Sequence, residues 1–493
     1  MRLGRRAVLG GVAAWPWVRV AHGQAAHRIS VVHFNDFHSR HEAVDSQALA
    51  CSAGDACYGG SARLATAVRA QRTVAEADGR AVLVLDGGDQ FQGSLFFTAH
   101  QGLAELAVQH AIGVDAMAVG NHEWDAGPDV LARYVAQAQF PVLAANVDSD
   151  LPGLARIRPY ALFDRAGLRL AVVGLTTPVA METSSPGPRV RITDPAAALA
   201  VAAAAARAEG ARCVIALSHL GLPADLVLTG VAAVVGAHSH LVLSNSEAEA
   251  VGPYPTRAPG GAVVVQAGAY GRFVGRLDLD VAADGTLLGY GGDVRHVGLD
   301  TVPDLTVATI VAGYGAPLRA VREGVIGHLP AALDAAPCRV GPCALGALVT
   351  GAMRRAAPGS AVAIINAGGM RTGLPAGPIT LGQVLDMLPF GNALATLELP
   401  GADLAAAVRH GMGLVGRGGF PQMAGVRVVD GRVEVERGAD WAAVDPAVLY
   451  RVVTNSYLRG GGDGYAMLRD RAVRPYDLGP GIAEILARAL DGS

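Results

Sequence analysis

Five short segments of this chain each end an apolar run with metal-binding residue types. They are Asp36-Phe-His38, Gly87-Gly-Asp89, Gly120-Asn-His-Glu123, Ser218-His219 and Gly236-Ala-His-Ser-His240. Carboxylate, imidazole and amide oxygen form a mixed ligand set that suits zinc, manganese or iron better than calcium. Each motif alone is ordinary. D-x-H and G-G-D are common in turns, and Ser-His at a strand end is commonly a satisfied polar pair. Two histidines two apart after a strand rarely serve packing, and G-N-H-E is the most specific of the five. Their coincidence after successive apolar runs is what points to a pair of divalent ions. In an extended segment Asp36 and His38 would share a face and reach one ion. The glycines before Asp89 let the backbone come close, where its carboxylate would bridge two ions. His27, His33, His41, His110 and His410 read as ordinary packing or polar residues.

A second group lies in the last third of the chain. Asn366-Ala-Gly-Gly-Met-Arg371 ends an apolar run with glycines and an arginine. Leu388-Pro-Phe-Gly-Asn392 presents Phe390 on a tight turn, and Asn455-Ser-Tyr-Leu-Arg-Gly-Gly-Gly-Asp463 presents Tyr457 and Asp463 around a glycine run. Aromatic rings on such loops are poor core residues and good stacking platforms, each base stacked gaining roughly 1–3 kcal/mol whatever its identity. Phe420 reads as packing.

The elements that must position these residues follow from periodicity. Residues 29–34, 81–85, 116–119, 142–145, 170–174, 214–217 and 231–235 are short, rich in β-branched residues and stopped by Gly, Asp, Asn or Ser, which predicts strands. Helices are expected at 61–77, 103–110, 128–138 and 195–208, with Pro128 and Pro195 where a first turn accepts proline. This alternation predicts an α/β fold with largely parallel pairing. Strands at 262–267 and 273–281 would close a sheet. Residues 304–321 read as a connecting helix. Beyond it a second pattern is expected: helix 344–355, strand 362–366, and helices near 381–388 and 401–410. A chain of 493 residues is too long for one core.

Composition narrows the classes. The net charge of -3 gives no sign of binding to nucleic-acid polymers. All the positive charge is arginine, with no lysine in the chain. That excludes a P-loop lysine, a Schiff-base lysine and a Ser-Lys dyad, and leaves arginine to grip any phosphate. There is no G-x-S-x-G elbow. Arg5-Arg6 precede the weakly hydrophobic stretch 7–14 and small residues up to Ala25-Ala26, the pattern of a twin-arginine export signal over residues 1–25. Pro16 and Arg19 interrupt that stretch, which falls short of the ~20 apolar residues a span needs. Export through the twin-arginine machinery to a periplasmic or secreted location is therefore expected, with no stable membrane anchor. The cysteines fit an oxidising compartment: Cys51 and Cys57 bracket a short polar loop, as do Cys338 and Cys343, and each pair is able to close a small disulfide. Cys213 reads as a buried structural thiol.

Together these segments resemble the dinuclear metallophosphoesterases, and specifically the 5'-nucleotidase family, over nearly all of the mature chain. The resemblance implies a four-layer α/β/β/α metallophosphoesterase domain (26–300), a linker helix (301–321) and a smaller α/β nucleotide-binding domain (322–493). By motif, Asp36, His38, Asp89 and His240 would hold one metal, and Asp89, Asn121, His219 and His238 the other. The family varies at the position of His240. Two such ions clamp a phosphoryl oxygen and lower the pKa of bound water to about 7. His122, oriented by Asp125, would stabilise charge on the phosphoryl oxygens or leaving group. Glu123 would support these residues from behind, and Arg40 would meet the terminal phosphate. Phe390 and Tyr457 would sandwich the base, Asp463 would bind ribose hydroxyls, Arg339 and Arg371 the phosphate and ribose edge, and Asn366 the base. Both cysteine pairs fall where the animal enzyme has short disulfides. Recognition in one domain and cleavage in the other imply a rotation about 304–321.

The expected function is hydrolysis of nucleoside 5'-monophosphates of the AMP type by a water activated at two divalent ions, zinc first, with manganese or iron as alternatives. The expected role is extracytoplasmic nucleotide salvage. Rival readings are hydrolysis of UDP-sugars, nucleoside diphosphates or 2',3'-cyclic nucleotides on the same scaffold, a sulfur-oxidation hydrolase, against which the aromatic clamp speaks, and a non-catalytic nucleotide-binding protein, against which the full ligand set and the His122–Asp125 pair speak. The oligomeric state is left open.

Overall fold

The computed structural model describes residues 17–19, 27–44, 51, 56–438, 440–476 and 479–491. Of the predicted export segment only Trp17–Arg19 falls among them, as an edge strand antiparallel to Gly289, Tyr290 and Gly291. The twin-arginine motif lies outside the described residues.

Alternation along the central strands builds the layers. In His27–Phe34, Val32 and Phe34 point into one core while Ile29 and Val31 point into another. Neighbouring side chains of a strand face opposite ways, so a strand apolar at every position must be covered on both sides. Val32, Phe34 and Val84 pack with Leu64, Ala65 and Val68 of helix Ser61–Ala77. On the other face Ile29, Val31, Leu83 and Leu85 meet Leu170, Val172, Ile215, Leu217 and Val235 of a second sheet. That sheet's outer residues, Val173, Val214, Ala216 and Val234, are covered by Leu199, Ala202, Ala203 and Ala206 of helix Pro195–Ala208. Helix, sheet, sheet and helix therefore stack in four layers around three apolar seams.

The first sheet has seven strands. Its parallel portion runs His27–Phe34, Ala81–Asp86, Ala116–Ala118 and Val142–Leu143, and the antiparallel hairpin Phe273–Val281 and Leu287–His296 extends its other side. The second has six strands, with Leu168–Thr176, Cys213–His219, Ala233–Gly236 and Val263–Val265 parallel. Besides Trp17–Arg19, three strands of these sheets escape the sequence pattern: Tyr160–Arg165, which forms a hairpin with Leu168–Thr176, Leu287–His296, whose three glycines mask its alternation, and the two-residue Thr256–Arg257.

Helix Leu305–Glu323 joins the halves. Asp304 caps it by accepting from the Val307 N–H at 2.9 Å and is held by Arg69 at 2.6 Å. The helix packs on the first half through Val307 and on the short helix Leu95–His100, where Gly315 faces Phe96. The second half is a five-stranded mixed sheet, Pro421–Ala424, Val362–Asn366, Leu449–Asn455, Leu394–Pro400 and Val473–Tyr476 in spatial order. Ala363 and Ile365 face helices Ala344–Ala356 and Ile482–Asp491, whereas Val362 and Ile364 face Gly401–Met412 and a three-stranded meander at 426–443. Both disulfides, Cys51–Cys57 and Cys338–Cys343, are formed, and Cys213 is free and buried. No helix among the described residues is long and apolar enough to cross a membrane.

His33 lies fully buried on the central strand, sharing a 2.8 Å hydrogen bond with the Tyr254 hydroxyl. Burial pulls its pKa from 6.5 down to about 3. The unfolded chain therefore binds a proton that the folded chain refuses, so this contribution to stability is complete above about pH 6.5 and is lost as pH falls toward 3. Acidification from about pH 7 to about pH 4.5 should cost about 2.5 kcal/mol through this side chain alone. Denaturant titrations at the two pH values should show His33→Gln losing less stability than the parent by about that amount. An equal loss in both proteins would contradict the assignment.

Candidate metal centre and nucleotide site

The five motifs converge because parallel neighbours end at the same edge. Strand His27–Phe34 leads to Asp36 and His38, Ala81–Asp86 to Asp89, and Ala116–Ala118 to Asn121 and His122, all from the first sheet. From the second sheet, Cys213–His219 ends on His219, and Ala233–Gly236 leads to His238 and His240.

The side chains meet in three overlapping groups whose ligating atoms lie within 4.8 Å of one another: Asp36 with His38 and His240, Asp89 with His219 and His238, and His38 with Asp89 and His122 between them. His38 Nε2 and His240 Nε2 are 3.0 Å apart, and His240 Nε2 is 3.4 Å from Asp36 Oδ1. His219 Nε2 lies 3.0 Å from Asp89 Oδ2, and His38 Nε2 3.8 Å from the same oxygen. Asp89 is thus common to two groups. The carboxylates also sew the motifs together. Asp36 accepts from Asn35 Nδ2 at 2.6 Å and from the His238 N–H at 3.0 Å, and Asp89 Oδ1 accepts from the His122 N–H at 2.9 Å.

The expected route to this convergence needs correction. Asp36 and His38 do not share a face of an extended segment. Both are left-handed, each with φ 51°, as are Asp89 (55°), His238 (73°) and His240 (56°). Tight left-handed turns aim these side chains back over the strand ends. Such a conformation costs a non-glycine residue on the order of 1–3 kcal/mol, and it clusters at functional sites where the surroundings over-determine it. Asp and His tolerate it better than most residues.

The donor set fits a pair of divalent cations. Asn121 Oδ1 is buried without a hydrogen-bond partner, and buried His219 Nε2 faces the carboxylates of Asp89 (3.0 Å) and Asp36 (3.9 Å). His219 Nδ1 donates to the Gly87 carbonyl at 2.8 Å, which leaves Nε2 as the atom facing the cluster. Burial lowers His38 well below its usual range and brings His238 down to about 4, so both present neutral rings. Burial opposes charge on Asp89, but His219, His122 and His38 outweigh it and hold the carboxyl well below the usual range. Burial likewise opposes charge on His219 and His122, yet Asp89 together with Asp36 pushes His219 up to about 10, and Asp89 together with Asp125 pushes His122 up to about 9. Two buried anions here demand positive charge.

His122 Nδ1 donates to Asp125 Oδ2 at 2.6 Å, leaving Nε2 free. Glu123 does more than the sequence indicated. Its Oε2 accepts from the N–H groups of Asp89 (2.9 Å) and Gly120 (2.6 Å), and its Oε1 from those of Gln90 (2.8 Å) and Phe91 (3.2 Å). One buried carboxylate thereby splints the loop bearing Asp89 to the loop bearing Asn121. Behind the first motif, Ser39 Oγ and His41 Nε2 both donate to buried Glu105. Glu123 closes the G-N-H-E motif, but its partners do not show there because they are backbone amides, and Glu105 belongs to no motif because its partners lie far along the chain. Tyr270, whose ring lies 5.6 Å from that of His38 and 5.3 Å from that of His240, was also missed. It sits between Gly268 and Gly271, so the glycine-loop criterion applied to Phe390 and Tyr457 reaches it. Arg40 points its guanidinium at the Tyr270 ring, 5.8 Å from Cζ to the centroid.

In the second half, Tyr457 Oη donates to Asp463 Oδ1 at 3.1 Å, and Asn366 Nδ2 to Asp463 Oδ2 at 3.0 Å. Asn455 Nδ2 in turn donates to Asn366 Oδ1 at 2.9 Å. Phe390 and Tyr457 are 38% and 46% exposed, too open for core residues. Their turns are stitched together where Ser456 N–H donates to the Ala393 carbonyl at 2.9 Å. Arg371 reaches over the Phe390 ring at 5.8 Å. Arg339 is held through its backbone, its carbonyl accepting from Gly416 N–H at 2.7 Å, and is not hydrogen-bonded to the Asp463 group. Phe420 is buried. The halves approach one another near both groups: Gln92, on the loop after Asp89, faces Gly391, next to Phe390, with its Nε2 3.6 Å from where a β-carbon would stand.

Comparison with known proteins agrees with this geometry. Residues 29–242 match the calcineurin-like phosphoesterase family and residues 325–470 the 5'-nucleotidase C-terminal domain. The 5'-nucleotidase of Diplobatis ommata is 30% identical over 93% of this chain and 86% of its own. The trifunctional nucleotide phosphoesterase protein YfkN of Bacillus subtilis is 33% identical over 80% of this chain, which spans only 31% of that longer protein. Among solved structures, a 5'-nucleotidase precursor from Thermus thermophilus is 35% identical with a TM-score of 0.67, covering 94% of this chain and 96% of the other. A cluster of carboxylates and imidazoles at the strand ends, the two matching family models and a relative and a solved structure matched over most of their own length lead to one conclusion: the chain belongs to the 5'-nucleotidase family of metal-dependent phosphoesterases.

Proposed function

We propose that the chain hydrolyses nucleoside 5'-monophosphates of the AMP type to nucleoside and phosphate. The observation that supports this reading is the approach of Gln92, three residues after Asp89 of the carboxylate–imidazole cluster, to Gly391, which follows the exposed Phe390. Asp36, His38, Asp89 and His240 would hold one divalent ion and Asp89, Asn121, His219 and His238 the other, zinc first, with manganese or iron as alternatives. When bound, such a pair supplies Lewis-acid polarisation of the phosphoryl group and an activated water. The protein's own residues do the rest. His122, held at Nδ1 by Asp125, turns Nε2 to the leaving oxygen and gives it a proton. Arg40 takes a terminal phosphate oxygen. Phe390 and Tyr457 stack the base, Asp463 holds the ribose hydroxyls, Asn366 meets the base, and Arg339 and Arg371 face the phosphate and ribose edge.

The working division is a catalytic domain at 26–300, a linker helix at 301–321 and a recognition domain at 322–493. The paired arginines support export by the twin-arginine route and a role in nucleotide salvage outside the cytoplasm. A second reading, a wider phosphoesterase acting on nucleoside diphosphates, UDP-sugars or 2',3'-cyclic nucleotides, draws on the identity to a protein described as trifunctional. Phosphate release from AMP, ADP, UDP-glucose and 2',3'-cyclic AMP with added zinc or manganese separates the two. AMP should be the best substrate, and a preference for any of the others would favour the second reading.

Substituting His122→Asn should lower kcat for AMP by about 10²- to 10⁴-fold with metal content unchanged. A variant within a few-fold of the parent would remove His122 from the mechanism. Phe390→Ala and Tyr457→Ala should each raise KM for AMP by about tenfold, since stacking contributes roughly 1–3 kcal/mol per base. Neither should change KM for ribose 5-phosphate, which has no base to stack. Equal effects on both substrates would show that the rings do not read the base.

A further inference from the structure

Arg40 stands at the cleft half-buried, with its Nε buried and without a hydrogen-bond partner. No ion pair holds its guanidinium among the described residues. What it does meet is the face of Tyr270. A guanidinium on a flexible stem spreads over many rotamers, and an aromatic face is one of the few neutral surfaces able to hold it in place.

Tyr270 is itself fixed to the metal loops. Its N–H donates to the Asp36 carbonyl at 2.8 Å, and its ring packs edge-on against His240 and at a tilt against His38. Its turn is closed by Arg272 N–H donating to the Ala269 carbonyl at 3.2 Å, with φ 62° at Tyr270 and 67° at Gly271. Both central residues of such a turn need positive φ, which glycine supplies freely and an aromatic residue does not. A bulky side chain stands at a position that disfavours it, and its ring meets His38, His240 and Arg40. Strain of that kind points to a use for the side chain.

We propose that Tyr270 is a positioning residue: its ring face holds Arg40 over the metal cleft, registering the cation that receives a phosphate oxygen to the loops that carry Asp36, His38 and His240. The ring, not the hydroxyl, does this. The inference rests on the reading of Arg40 as a phosphate contact, and deepens it by naming what keeps a guanidinium without an ion pair among the described residues in place.

Inorganic phosphate, titrated calorimetrically into the metal-loaded chain, tests this without any nucleotide. Metal content is measured on each variant. Tyr270→Ala and Tyr270→Leu should weaken phosphate binding by about tenfold at full metal content, and Tyr270→Phe should stay within about twofold. Arg40→Ala should weaken it at least as much, and adding Tyr270→Ala to Arg40→Ala should cost nothing more. The proposal is overturned if Tyr270→Phe weakens binding as much as Tyr270→Ala, if the two losses add, if the Tyr270 variants lose metal, or if the metal-loaded parent binds no phosphate. A chain that binds phosphate in this pattern yet leaves AMP intact would overturn the substrate assignment and leave the role of Tyr270 standing.

Discussion

Two carboxylates, Asp36 and Asp89, are buried together at the meeting edge of two sheets, and the rest of the site is organised around that fact. Like charges in a dry interior repel, and each loses its hydration. Such a pair persists only if positive charge or hydrogen-bond donors surround it. Here the backbone N–H of His238 serves Asp36, the backbone N–H of His122 serves Asp89, and imidazoles from four loops close the remaining sides. These contacts tie the loops of both sheets to one another. The strained left-handed turns at Asp36, His38, Asp89, His238 and His240 are the geometric consequence.

Glu123 shows how the strain is held. It buries a third carboxylate within the same region and engages backbone amides with both oxygens, so its partners are the loops and not the cleft. A loop held by several amide bonds to one rigid group cannot relax by a small shift, and its ligands stay in place. The short helix at 95–100 then carries the same loop into contact with the linker helix, through Phe96 facing Gly315. The two halves approach one another where Gln92, on that loop, faces Gly391.

Much of this was legible in the sequence, for a physical reason. Parallel strands buried on both faces read as uninterrupted apolar runs, so the residue ending each run is marked. Helices Ser61–Ala77 and Pro195–Ala208 and strands Phe273–Val281 and Val362–Asn366 fall at the predicted positions because their stops are glycine, proline or acid. The meander at 426–443 and the strand Leu287–His296 were not foreseen, since their alternation is interrupted by glycines and charges on exposed positions. The left-handed turns could not be read from D-x-H, because residue type at that spacing permits both an extended and a turned backbone. Tyr270, and the backbone amides that Glu123 holds, escaped for a different reason. What each does depends on groups brought close by the fold and distant in the chain.

Whether the acidic pair is a shared seat for cations decides everything built on it. Elemental analysis of the purified chain, combined with anomalous scattering from its crystals, measures this directly. The prediction is two ions per chain, adjacent and on either side of the Asp89 carboxylate, with Asp89→Asn losing at least one. A parent chain that takes up a single ion or none when supplied with zinc and manganese would contradict it.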